Sequence, residues 1–167
     1  MELYLLRHGI ATERGIPGHE IDSTRPLTPE GLRKTQRAAE GMRALGLDFG
    51  RILSSPHVRA RQTAEIVAGV FGIEERLELN DNLAPGGNRW ELMEGLNNGP
   101  ESPQSVLLVG HEPEMSELAS MLLSGATDLP IEMKKAGLCK LSLDKPQYGR
   151  CASLCWLLTP RQLAMMG

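Results

Sequence analysis

Apolar residues fall along this chain in two kinds of pattern, and their alternation predicts the fold. Leu3-Tyr4-Leu5-Leu6 and Ser105-Val106-Leu107-Leu108-Val109 are continuous runs of strand length. Strands buried on both faces of a parallel sheet read in this way, without the in–out alternation of half-exposed strands. Arg51-Ile52-Leu53-Ser54-Ser55 reads as a shorter strand. Between these runs apolar residues recur at helical spacing: Leu32, Ala39, Met42 and Leu45; then Ala60, Ala64, Ile66, Val67 and Val70; then Met115, Leu118, Ala119, Met121 and Leu122. The first helix is expected to start at Thr28-Pro29, N-cap and first helical position, and to end at Gly46. The second opens at Pro56 and breaks at Gly72, and the third closes at Gly125.

The remaining stretches fill in the order. Residues 10–25 are polar, with Gly15, Pro17 and Gly18, and read as a loop. Residues 77–89 read as an extended piece running into the tight turn Pro85-Gly86-Gly87, after which Asn88 caps a helix through Trp90, Leu92, Met93 and Leu96. A Pro/Gly/Asn linker lies near residues 97–104. Gly137–Leu143 and Cys151–Leu158 look like two strands, a hairpin at one side of the sheet. Strands alternating with helices predict one α/β domain over residues 1–167: a three-layer α/β/α sandwich on a mostly parallel central sheet.

Composition narrows the function classes. The net charge is −3, so there is no global basic field to hold nucleic acid or an anionic membrane, and any anion site must be built locally. No apolar run approaches the ~20 residues of a membrane span, and acidic Glu2 stands where a signal peptide would carry basic residues. Cys139, Cys151 and Cys155 are an odd number with too little histidine nearby for a zinc site. They read as small buried hydrophobes in a reducing cytoplasm.

Three expected strand ends carry related chemistry. The first delivers Arg7-His8-Gly9, with Gly9 free to turn sharply and let the backbone approach a ligand. The second delivers Ser54-Ser55-Pro56-His57-Val58-Arg59, where a helix N-terminus suits an anion and Arg59 lies on its first turn. The third delivers His111 in Gly110-His111-Glu112-Pro113. If the strands are parallel, all three ends share one rim, where ligands of open α/β sheets bind. Two arginines and two histidines on one crevice predict a phosphate site, since guanidinium forks match phosphoryl oxygens and stay charged. Arg25, in the first loop, could add to that site or stand on the surface. His19 and His57 read as solvated, Glu112 as a cap on the following helix, and Lys134 and Lys135 as surface residues or a rim for an acidic partner.

These residues resemble the histidine phosphatase superfamily, also called phosphoglycerate mutase-like. Arg7-His8-Gly9 is similar to its hallmark triplet, Arg59 after Ser55-Pro56 to its second arginine, and His111 after an apolar strand to its second histidine. Arg25-Pro26-Leu27-Thr28 with Gly31, Arg59-Ala60 with Gln62-Thr63, and Leu83-Ala84-Pro85-Gly86 look like the SixA-type phosphohistidine phosphatases. The likeness runs from residue 3 to about 158. It implies a phosphoglycerate mutase-like fold and a covalent mechanism in which His8 is the nucleophile and becomes a phosphohistidine. Arg7, Arg59 and His111 would hold the phosphoryl oxygens. It implies neither metal nor other cofactor.

The same resemblance implies a proton donor in the segment Leu79-Asn80-Asp81-Asn82-Leu83, where Asp81 is the candidate, with a turn aspartate as its other reading. A phosphohistidine substrate would need that acid less, because imidazole leaves more readily than an alkoxide. The expected activity is removal of phosphate from a histidine-phosphorylated protein, a phosphotransfer or phosphocarrier domain, with phosphate as product. A small-molecule phosphomonoesterase or mutase, and a non-catalytic phosphate-binding module, are the competing readings.

Overall fold

The computed structural model describes residues 1–97 and 103–167, so most of the expected linker near 97–104 lies outside the described residues. The described residues form a mixed six-stranded sheet: β1 (Glu2–Arg7), β2 (Arg51–Ser54), β3 (Leu77–Leu79), β4 (Ser105–Gly110), β5 (Leu138–Leu143) and β6 (Ala152–Leu158), in the order β3-β2-β4-β1-β5-β6. The first four are parallel, and β5 and β6 continue the sheet as an antiparallel pair beside β1. β4 is buried at every position and β1 at Leu3 to Leu6, as their unbroken apolar runs require.

The helices are α1 (Pro29–Ala44), α2 (Val58–Phe71), α3 (Arg89–Gly95), α4 (Glu114–Ser124) and α5 (Pro160–Ala164). Strand alternation divides the core in two. Tyr4, Leu6, Ile52, Leu107 and Val109 pack with α1, α2 and Leu163 of α5. Leu3, Leu5, Leu53, Val106 and Leu108 pack with α3 and α4. Helices cover both faces, giving the three-layer arrangement. Among the described residues, no helix is long and apolar enough to cross a membrane.

Local signals account for most boundaries. Thr28 caps α1 by accepting from the Gly31 N–H at 3.0 Å, with Pro29 next. Gly72 and Gly125 close α2 and α4 in the left-handed region, φ 67° and 86°. Asn88 caps α3 by accepting from the Trp90 and Glu91 N–H groups.

Four expectations are corrected. The α1 stripe is displaced: Leu32 and Leu45 are exposed, and the buried face is Gly31, Thr35, Ala38, Ala39, Gly41 and Met42. This face is built for close approach rather than bulk, since a Cβ on Gly41 would sit 1.9 Å from the Leu163 carbonyl oxygen. Gly41→Ala must therefore push α5 away, and is expected to destabilise the fold by about 1–3 kcal/mol in urea denaturation. Helix α2 begins at Val58, with His57 as N-cap, not at Pro56. Of the cysteines only Cys139 is buried, where desolvation raises its thiol pKa to about 12; Cys151 is half-buried, and Cys155 is exposed at the register shift between β5 and β6, where Lys140 pairs with Trp156 and Leu141 with Leu154. Finally, the reading by periodicity ends at Leu158 and omits α5, which is too short for a stripe but carries a capping box at Thr159 and Gln162.

Candidate active site

Strands β1, β4 and β2 are neighbours and parallel, so their carboxyl ends form one rim. Two hydrogen bonds carry the pairing a residue past the strands: the His8 N–H donates to the Gly110 carbonyl at 3.0 Å, and the Ser55 N–H to Val109 at 3.0 Å. His8, His111 and Ser55 are therefore side by side. The His8 and His111 ring centroids are 5.1 Å apart. Arg7, His8, Arg25, Arg59, His111 and Lys135 line a cleft of about 330 Å³ with Ala11, Arg14, Pro85, Glu112, Pro113 and Glu114.

The geometry of His8 defines its protonation. Its Nδ1 lies 2.7 Å from the Gly9 carbonyl oxygen, which can only accept, so Nδ1 carries the proton. Nε2 then presents its lone pair, and accepts from Arg59 Nε–H at 3.2 Å. Burial, then the Arg59 and Arg7 charges, outweigh the Gly9 bond and lower the His8 pKa to about 3. His111 is also buried; its Nε2 lies 2.8 Å from Ser55 Oγ, and burial, followed by the cost of a second charge beside His8 and Arg59, lowers its pKa to about 2.

Both imidazoles are neutral in the folded protein, while unfolded ones titrate near 6.5. Their contribution to stability is thus full above about pH 6.5 and is lost as pH falls toward about 3, where the unfolded chain alone takes up protons. Urea midpoints are expected to fall across that window, and a His111→Gln variant to show a shallower fall.

Arg59 is buried in the first turn of α2. Its Nη1 donates to the Asp22 carbonyl oxygen at 2.8 Å and its Nη2 to Asp22 Oδ2 at 2.9 Å. Arg25 donates twice to Asp22 Oδ1, at 3.0 and 2.8 Å, and to the Thr12 carbonyl at 2.6 Å. Burial alone would raise the Asp22 pKa, but the hydrogen bonds from Arg25 and Arg59 hold it at about 2. Arg7 Nη1 donates to the Met133 carbonyl at 2.8 Å. Arg7 Nε and His111 Nδ1 are buried with no hydrogen-bond partner among the described residues. Buried polar nitrogens are rarely left so, and both belong to side chains that line the cleft.

The structure thus brings Arg7, His8, Arg25, Arg59 and His111 together, and leaves two expected residues outside. Asp81 is exposed on a 3₁₀ turn, 81–83, and is not among the cleft-lining residues. Gly9 lies behind His8: a Cβ there would meet Thr35 Oγ1 at 2.4 Å, so packing demands the glycine. Its N–H donates to Thr63 Oγ1, which donates in turn to the Arg59 carbonyl.

His57 is not simply solvated. Its ring is mostly covered, 5.0 Å from His111, with Nδ1 3.8 Å from Asp22 Oδ2. Glu112 does serve the following helix, accepting from the Ser116 N–H and Oγ. Lys135 borders the cleft. The sequence reading missed Asp22, and gave no role to Ser55 and Thr63, which it quoted only within motifs. Asp22 had one available signal, an acid three residues before Arg25 in a loop feeding the site.

A cleft at the carboxyl ends of parallel strands, holding a neutral histidine among arginines, has the charge and the donors that suit a phosphoryl group. The chain belongs to the histidine phosphatase superfamily (branch 1), whose sequence pattern matches residues 3–95, and it is a phosphatase by that membership. It is 28% identical to the phosphohistidine phosphatase SixA of Escherichia coli (strain K12), over 99% of this chain and 98% of that protein. It is 40% identical to an uncharacterized protein of Picosynechococcus sp., over 83% of this chain and 82% of the other. A solved structure of the protein histidine phosphatase SixA complexed with tungstate superposes with a TM-score of 0.83 at 27% identity, covering 98% of this chain and 99% of that one.

Proposed function

We propose that the protein is a cytoplasmic, metal-independent phosphohistidine phosphatase, one catalytic domain over residues 1–167, acting on a histidine-phosphorylated protein. One observation carries the mechanism: His8 is neutral, with its proton fixed on Nδ1 by Gly9 and its Nε2 lone pair turned toward Arg59. An imidazole held so needs no deprotonation before it attacks; the Arg59 Nε–H that rests on Nε2 shifts its hydrogen bond to a phosphoryl oxygen as the substrate enters, which frees the lone pair.

In the first step Nε2 attacks phosphorus in line, the bond from phosphorus to the substrate imidazole breaks, and the departing imidazole keeps the electron pair and takes a proton from solvent water. In the second, water attacks phosphorus, the bond to Nε2 breaks, and inorganic phosphate leaves with His8 restored. Arg59, Arg7 Nε and His111 Nδ1 serve the equatorial oxygens, the last with its proton on Nδ1 and Ser55 donating to Nε2. The likeness to SixA along nearly the whole chain supports a protein-borne phosphohistidine as substrate, a phosphotransfer or phosphocarrier domain being the natural carrier.

A small phosphomonoester is the second reading, and Glu114 is the observation that favours it. This residue lines the cleft with Oε2 buried and unpartnered among the described residues, and an alkoxide leaving group requires an acid. Phosphate release from a histidine-phosphorylated phosphotransfer domain, run beside p-nitrophenyl phosphate and an alkyl phosphate, decides between them. The proposal expects the protein to be hydrolysed fastest, with Asp81→Asn and Glu114→Gln changing that rate less than threefold. A preference for the alkyl ester that Glu114→Gln abolishes would support the small-molecule reading instead.

A further inference from the structure

We infer that Asp22 is a positioning residue that sets the direction of Arg59 against the nucleophile; the inference rests on the reading of His8 as phosphoryl acceptor. Asp22 opens the 3₁₀ turn 22–24 within the loop before α1. It meets both terminal nitrogens of Arg59, one through its backbone carbonyl at 2.8 Å and the other through Oδ2 at 2.9 Å. A guanidinium is a rigid plane with its donors in fixed directions, so pinning both terminal nitrogens fixes where the third must point. That third nitrogen, Nε, faces His8 Nε2 at 3.2 Å. Asp22 thus takes the outer edge of Arg59 and leaves the Nε edge to the reacting centre.

The rest of the carboxylate organises the approach. Oδ1 accepts two bonds from Arg25 and lies 3.2 Å from Arg14 Nε. One anion therefore ties together three cations that would otherwise repel one another beside the cleft. The loop is anchored independently of Arg59: the Leu27 N–H donates to Gln62 Oε1 at 2.8 Å, the Thr28 N–H to the Ile10 carbonyl at 2.9 Å, and Ala11 bridges Leu27. Because the Asp22 side chain is about one-third exposed, its ion pairs add little to stability. What it supplies is geometry.

The test compares Asp22→Ala and Asp22→Asn with the unsubstituted protein in single-turnover phosphorylation of His8 by a histidine-phosphorylated phosphotransfer domain and by phosphoramidate. The ¹⁵N resonance of His8 Nε2 and the urea midpoint are recorded for each. Asp22→Ala is expected to slow phosphorylation by both donors about 100-fold, the scale of an ångström of misplacement. The Nε2 resonance should move toward that of a nitrogen with no donor, and the urea midpoint should stay put. Asp22→Asn, which keeps an acceptor oxygen, should recover part of both. An unchanged rate and resonance in Asp22→Ala would overturn the assignment, as would a rate loss matched by a fallen midpoint with the resonance unmoved. If the unsubstituted protein forms no phosphohistidine, the functional reading fails, and the resonance alone then decides whether Asp22 directs Arg59.

Discussion

Replacing His8 by alanine is expected to abolish turnover, with a loss on the order of 10⁴–10⁶-fold, as when a covalent nucleophile is removed from other enzymes. The size of the effect follows from how little else in the cleft can substitute. Among the described residues that line the cleft, His111 is the only other imidazole, and its Nε2 is committed to Ser55 Oγ at 2.8 Å. The remaining side chains there are cationic, carboxylate or apolar, and the cations cannot attack phosphorus. The fold should survive, because His8 lies beyond the end of β1 and its backbone bond to Gly110 does not involve the ring. Circular dichroism and the urea midpoint check that point. A His8→Ala protein that is folded, binds inorganic phosphate and does not turn over is the expected result of steady-state assays.

Arg59→Lys is expected to cost about 10²–10³-fold in kcat, as loss of an oxyanion donor does elsewhere, although it preserves the charge. Lysine carries a single ammonium, while Arg59 meets three points at once: His8 Nε2, the Asp22 carbonyl and Asp22 Oδ2. An ammonium drawn to Asp22 leaves the nucleophile, and one drawn to His8 leaves Asp22 held by Arg25 and Arg14. Because burial, the main cause of the low His8 pKa, is unchanged and a positive charge stays in the pocket, the pH dependence of kcat should keep its shape as its height falls. A variant that retains more than a tenth of the activity would remove Arg59 from the transition state.

The parts of this molecule that were legible in the sequence were those fixed locally. An unbroken apolar run such as Val106–Val109 has one good home, the middle of a parallel sheet, and the residue after it must then stand on the ligand-binding rim. That is how His8, Arg59 and His111 could be placed together before any geometry was known. The capped helices α1 and α3 were equally readable, because Thr28 and Asn88 act on their own neighbours.

What was hidden depends on distant partners. The buried face of α1 holds two glycines, Gly31 and Gly41, that matter only because Ile10 and Leu163 approach them. Asp22 is unremarkable in a polar loop until α2 brings Arg59 to it. Asp81, which follows a strand in the expected region, is turned into solvent by the 3₁₀ turn that carries it, and Glu114 stands in the cleft in its place. Cys155 is the extra residue where the β5–β6 register shifts, between Trp156 opposite Lys140 and Leu154 opposite Leu141, a feature of strand pairing that composition does not carry.

The central claim is that His8 Nε2 takes the phosphoryl group. Its most direct test is to mix the protein with a histidine-phosphorylated phosphotransfer domain, quench within milliseconds in alkali, where phosphohistidine survives, and map the modified peptide by mass spectrometry. The account predicts one added phosphate on His8, lost on brief acid treatment and absent from His8→Ala. Phosphate on another residue, or full turnover with His8 unmodified at every time point, would contradict it.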